Sequence, residues 1–258
     1  MKYFFKAAFY AALIAVCFSG CVIINLEFDN FDAVTGEGDR EIFTIDVGEF
    51  TKVRIDASVD LVYTEGFSDS IMLEVQPNLR KYFKVYVSDG ELVVRMTKKL
   101  HRSSRLSLPK LTISANMLEH MTINSTKRFV TEASIKADSF TLKYSGGNYI
   151  LDVDVNNLNI ITINSSLSRV NLDITGRADT MDLKASGDGN FRALGLPLRE
   201  ARIDISSAWV FVNVSDYLSV SAEAISPVGG NGAVRYSGSP FLDLNIPPKG
   251  ISVERVEQ

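Results

Sequence analysis

Thr122-Ile123-Asn124-Ser125 returns letter for letter as Thr162-Ile163-Asn164-Ser165, and this repeat decides how the chain must fold. Between and beyond the two copies, Ser125, Ser145, Ser165, Ser186, Ser206 and Ser226 follow one another at intervals of 20, 20, 21, 20 and 20 residues. Each sits behind a short run of β-forming residues: Met121-Thr122-Ile123, Thr141 to Tyr144, Ile161-Thr162-Ile163, Met181 to Lys184, Ile203-Asp204-Ile205 and Val220-Ser221-Ala222. A fixed period with a strand in every unit is the pattern of a solenoid, because one unit has too little apolar surface to bury alone and must stack on its neighbours. The spacing predicts Ile123, Leu142, Ile163, Leu183, Ile205 and Val220 in one stacked column. Ser, Asn and Gly at the corners accept tight bends and positive φ. Parallel crossovers favour one hand. The predicted fold is all-β, a right-handed parallel β-helix: a single-stranded solenoid of about 20 residues per rung.

Outward from the repeat, the pattern is alternation and not helical spacing. Val53, Ile55 and Ala57, then Val59, Leu61 and Tyr63, then Ile71, Leu73 and Val75 read as half-buried strands. Val85-Tyr86-Val87 and Leu92-Val93-Val94 flank Asp89-Gly90 and read as a hairpin. Leu79 to Phe83 and Asn116 to His120 have room for a single helical turn each. Treating residues 50 to 250 as a uniform coil predicts about ten rungs and, at roughly 4.8 Å per rung, a rod on the order of 45 to 50 Å long. Pro247-Pro248 stops further pairing.

The 258 residues are 46% hydrophobic and 22% charged, with a net charge of −4, which makes no global electrostatic case for nucleic acid. Residues 1–20 read as a signal peptide: Lys2 and Lys6, an uncharged stretch from Ala7 to Phe18, and Ser19-Gly20 before Cys21. Phe18-Ser19-Gly20-Cys21 resembles the lipobox of bacterial lipoproteins, which implies removal of the signal and acylation of Cys21. Several acyl chains at about 0.8 kcal/mol per methylene make such an anchor permanent. Loss of Lys2 and Lys6 leaves 25 cations against 31 carboxylates, a balance of −6. Cys17 goes with the signal, so no intramolecular disulfide is expected. Residues 21–45 are the lipidated N-terminus and an acidic tether, and residues 46–258 the β-helical domain. The expected location is the cell envelope, as an outer-membrane lipoprotein facing the periplasm or the surface.

Tyr144-Ser145-Gly146-Gly147, Ala185-Ser186-Gly187-Asp188-Gly189, Gly229-Gly230-Asn231-Gly232 and the closing Val234-Arg235-Tyr236-Ser237-Gly238-Ser239-Pro240 resemble the auto-transporter adhesin head GIN domain family. There a Ser-Gly-small-Gly corner recurs in each rung and a Tyr-x-Gly-x-Pro element lies near the end. Phe50 to Val53 and Asp56 to Leu61 are similar to its first strands, and the likeness runs over about residues 46 to 245. Asn124-Ser125-Thr126, Asn164-Ser165-Ser166 and Ser206-Ser207-Ala208 stand where the family has glycine-rich corners. The resemblance implies a β-helical adhesin-like domain and brings no catalytic residue, cofactor or metal.

Three groups of residues are candidates for contact. Lys98, Lys99, Arg102 and Arg105 form the densest basic run, able to attract an anionic glycan, lipid head group or cell-wall polymer, or to be simply a solvated loop. Asp152, Asp154 and Asn156 share a strand face, but a calcium site needs more oxygen ligands than three, so an outward polar face is expected. Trp209 and Phe211 fall opposite the core set Val210, Val212 and Val214, which makes them a candidate partner contact. No Gly-x-Gly-x-x-Gly, Gly-x-Ser-x-Gly or His-x-x-x-His occurs. The expected function is a non-catalytic binding or adhesion module for glycan or envelope protein. A polysaccharide-active enzyme on the same scaffold, or a structural subunit of an envelope complex, are the alternatives.

Overall fold

Alternating residues such as Val53, Ile55, Leu61 and Tyr63 are buried while their neighbours are not, and this period of two builds the whole domain. The computed structural model describes residues 33–66, 70–101, 108–222, 232–247 and 251–257. Cys21 and the signal peptide, Arg102 and Arg105, Ser226, and the corner Gly229-Gly230-Asn231 lie outside the described residues. Val34–Gln258 is one compact unit, and 71% of the described residues are strand.

The chain runs through β1 (Glu41–Asp46), β2 (Lys52–Asp56), β3 (Asp60–Glu65) and β4 (Ser70–Val75), makes one helical turn at Pro77–Arg80, and forms the hairpin β5 (Phe83–Ser88) and β6 (Glu91–Met96). β7 (Lys110–Ala115), β8 (His120–Ile123), β9 (Arg128–Thr131) and β10 (Ile135–Lys136) follow. Three long strands then bend around the coil: β11 (Ser139–Ser186), β12 (Gly189–Ile205) and β13 (Trp209–Ala222). β14 (Ala233–Ser237), β15 (Phe241–Asn245) and β16 (Ser252–Arg255) close the series.

Apart from β1, β4 and β5, these strands stack in parallel as a β-solenoid of about six turns with roughly 21 residues per turn. They make two columns. The first stacks β6, β2, β8, the beginning and end of β11, and the later halves of β12 and β13, ending at β15. The second stacks β7, β3, β9, the middle of β11, and the earlier halves of β12 and β13, ending at β14 and β16. A single apolar core from Phe50 to Ile251 fills the space between them. Each Leu, Ile or Val in it contributes about 1.5–3 kcal/mol through removal from water.

Two expectations are corrected here. About six turns replace the ten rungs, because residues 41–101 do not wind as successive rungs. β4 lies antiparallel on the outer edge of β7 and β1 antiparallel on β4, and β5 lies antiparallel on β6. Moreover β2 and β3 are inserted between β6–β7 and β8–β9, so the spatial order departs from the sequence order. The stacked column is also corrected. Tyr144, not Leu142, lies beside Ile123, and Ile203, not Ile205, lies between Leu183 and Val220. Leu142 pairs with Met121 and Ile205 with Ala185. All of these are buried, so the face was right and the register shifted by two.

The corners hold the turns together. Gly176 (φ +106) and Gly238 (φ +97) lie over the carbonyl oxygens of Val155 and Val214, and a Cβ there would sit 1.9 and 2.0 Å from those atoms. Asp154 accepts a hydrogen bond from Ser134 on one neighbouring turn and from Thr175 on the other, the latter at 3.0 Å. The corner of Asn124-Ser125-Thr126 manages without glycine: Thr126 is buried and its hydroxyl donates to the Ala57 carbonyl at 3.5 Å.

Candidate functional site

The outward residues of the two columns form rows that cross the strands. In the second column the row is Asp173, Arg192, Phe211, Arg235 and Glu254, each beside the next. Arg192 reaches both carboxylate oxygens of Asp173 at 3.2 and 3.0 Å, and Arg235 faces Glu254 at 3.5 Å. Trp209 lies two residues before Phe211, and the guanidinium of Arg235 lies over both rings, 5.5 and 5.9 Å from their centres. Trp209 and Phe211 are thus half-buried with a cation across them, while Val210, Val212 and Val214 are in the core. Sequence reasoning found the two aromatics and missed Arg235, whose place is set by the parallel pairing of β13 with β14.

In the first column, Asp182, Arg202, Ser219 and Asp243 form one row, and Lys184, Asp204, Ser221 and Asn245 the next. Arg202 pairs with Asp182 at 3.4 Å and with Glu200 at 3.2 Å, and Lys184 with Asp204 at 3.6 Å. An open groove of about 360 Å³ runs along Asp182, Arg202 and Ser219, and one of about 300 Å³ along Lys143, Asn164 and Ser186. At the end of this face Tyr217 and Phe241 stack at 6.1 Å with ring planes 9° apart, and the Tyr217 hydroxyl donates to Asp243 at 2.7 Å. That hydrogen bond, with some burial, pushes the Tyr217 hydroxyl pKa up. The aromatic pair had no signal in the sequence beyond two aromatic residues about one turn apart.

The basic run lies elsewhere. Lys98 follows β6 and stands 6.0 Å from the centre of the Tyr82 ring, which Lys81 also approaches at 5.2 Å. Lys99 accepts a backbone hydrogen bond from Val34 at 2.8 Å. β6 belongs to the opposite end of the columns from β14 and β15, so Lys98 and Lys99 are not brought together with Trp209 and Phe211. Asp152 and Asp154 are half-buried and Asn156 exposed. Among the described residues no group of His, Cys, Asp and Glu is assembled that could hold a metal, and no helix is long and apolar enough to cross a membrane. A third groove, about 280 Å³, opens between Arg40, Asp60, Glu74 and Arg128. Burial there pushes the Asp60 carboxyl above its ordinary pKa, against the opposing pull of Arg128, Arg40 and Lys127.

Residues 49–240 match the family model described as "Putative auto-transporter adhesin, head GIN domain". The chain belongs to this family. Among solved structures the head GIN chain is similar to a "putative adhesin" of Bacteroides fragilis, at 18% identity with a TM-score of 0.71, covering 87% of this chain and 100% of that one. Adhesins so described from Parabacteroides distasonis (19%, TM-score 0.64, 87% and 100%) and Parabacteroides merdae (20%, TM-score 0.62, 88% and 100%) are similar in the same way. At these identities the likeness establishes the fold. No curated protein matches the chain. The head GIN match takes in the corner at Gly238 and ends at Pro240, so β15 and β16 lie beyond it.

Proposed function

We propose that this head GIN chain is a lipid-anchored, non-catalytic adhesion module of the cell envelope. It is held at the outer membrane through Cys21 and meets its partners with side chains displayed on the outside of a rigid coil. The observation that carries the reading is the set of in-register rows, such as Asp182, Arg202, Ser219 and Asp243, which repeat hydrogen-bonding groups at the strand spacing. Such rows suit a repeating polymer, whose weak contacts add up by avidity. Family membership supports adhesion, and the Ser19-Gly20-Cys21 run supports the anchor. Trp209 and Phe211 under Arg235 are proposed as one contact surface, since aromatic residues with an arginine dominate binding energy where they occur. Lys98 and Lys99, with Arg102 and Arg105, are proposed to meet anionic groups.

The test is binding of the full chain, solubilised in detergent, across host and bacterial glycans and envelope proteins, with the Trp209→Ala, Phe211→Ala double variant beside it. Saturable binding that the double variant loses supports the reading and its contact surface. Absence of saturable binding to every glycan and protein contradicts it. Cys21→Ser tests the anchor separately: the variant is expected in the soluble fraction of cells whose wild-type chain sediments with membranes.

A further inference from the structure

Among the described residues the first column ends in an aromatic stack whose last ring, Phe241, has no further strand paired beside it. Phe241 is 71% exposed although one face of its ring is turned to Tyr217 at 6.1 Å. Its strand, β15, pairs only with β13 among the described residues, so no other described strand lies against the ring. The ring belongs to no core packing: its contact with the fold is the cross-strand stack on Tyr217, and most of its surface is left to solvent. Tyr217 is fixed beneath it by the 2.7 Å hydrogen bond to Asp243.

Immediately beside the stack lies the groove along Asp182, Arg202 and Ser219, and Ser219 is two residues from Tyr217 on the same strand. A bare ring face next to fixed donors and acceptors suits a flat, amphipathic ring that is apolar on its face and hydroxylated at its edge. That is the chemistry of a pyranose. The charge disfavours the anionic versions: the carboxylates of Asp182, Glu200, Asp204 and Asp243 outnumber the cations of Lys184 and Arg202, each of which already faces a carboxylate. We infer that Phe241 and Tyr217, with the adjoining row of Asp182, Arg202, Ser219 and Asp243, form a binding subsite for a neutral polysaccharide.

This inference rests on the adhesion reading and deepens it, at a place distinct from Trp209 and Phe211. The full chain in detergent is titrated by calorimetry with cellohexaose, chitohexaose, maltohexaose and mannohexaose, and with heparin and polygalacturonate as anionic polymers. Saturable binding to a neutral oligosaccharide is expected, weakened about tenfold by Phe241→Ala and by Tyr217→Ala, since one lost stacking contact is worth about 1 kcal/mol or somewhat more. Phe241→Tyr keeps the ring and is expected to bind as the wild type does. An unchanged thermal midpoint for Phe241→Ala excludes unfolding as the cause of its loss. Neutral binding that survives both single substitutions overturns the subsite, as does binding to the anionic polymers alone. If no neutral oligosaccharide binds while the chain still binds an envelope protein or another ligand, the subsite fails and the adhesion reading stands. If nothing binds, both fail.

Discussion

At the scale of single residues, the corners carry the sharpest constraints. Gly238 has a left-handed φ and its backbone lies against the Val214 carbonyl, so any side chain meets both backbone strain and a collision. Gly238→Ala is expected to cost about 3 kcal/mol or more, the left-handed penalty plus overpacking, which lowers Tm by on the order of 10 °C in a domain of this size. Gly90, with φ +71 in the β5–β6 turn and nothing within 4 Å of a Cβ, isolates the first effect. Gly90→Ala is expected to cost about 1 kcal/mol, and equal losses in the two variants by thermal melting contradict the collision at Val214. Asp60 offers a pH test. Its folded pKa is raised above 3.8 by burial, so the fold prefers the neutral acid. Its contribution to stability is full below the unfolded value and is lost as the pH rises through the folded one. Asp60→Asn is therefore expected to raise the urea midpoint at neutral pH, with an advantage that shrinks as the pH falls through the raised folded value and is gone below 3.8. An advantage that grows on acidification contradicts the burial of this group. The inward residues were legible from alternation, but their partners were not. The 19-residue step from Ile123 to Leu142 and the 21-residue step to Tyr144 lie equally far from a period of 20, and the corner takes the longer one.

Among the elements, the hairpin β5–β6 was legible because Asp89-Gly90 supplies the positive φ values, 52 and 71, that a two-residue turn requires. The insertion of β2 and β3 between β6–β7 and β8–β9 was not legible. Val53, Ile55, Leu61 and Tyr63 alternate as any rung would, and alternation says which face is buried but not which strand lies alongside. β1 and β4 close one end of the second column, with β1 antiparallel on β4. Without β1, the outer edge of β4 would present unpaired N–H and C=O groups beside Met72, which is already 46% exposed. A chain lacking residues 1–47 is expected to self-associate in light scattering while keeping its strand content. A monodisperse monomer at the same concentration contradicts the role of β1 as an edge cover.

At the scale of the whole molecule, the coil from β8 to β15 is a set of nearest-neighbour contacts, whereas the other end is closed by strands taken out of sequence order. The period of the serines made the solenoid legible, and the corner segments made the family legible. The proposed contact surfaces were only half legible. Trp209 and Phe211 stand out as aromatics among valines, but Arg235 reaches them from the next turn, 24 residues after Phe211, and Phe241 stands 24 residues after Tyr217. Those intervals are longer than the serine period, and only the folded register brings the residues side by side. The same register turns separate polar residues into rows along the coil, and a row, unlike a single pocket, gains a contact for each unit of a polymer it meets. Calorimetric isotherms for the full chain over a neutral oligosaccharide series, from disaccharide to octasaccharide, test this most directly. Affinity that rises with chain length, and levels off once the row is spanned, is the predicted result; affinity independent of length, or no binding at any length, would contradict it.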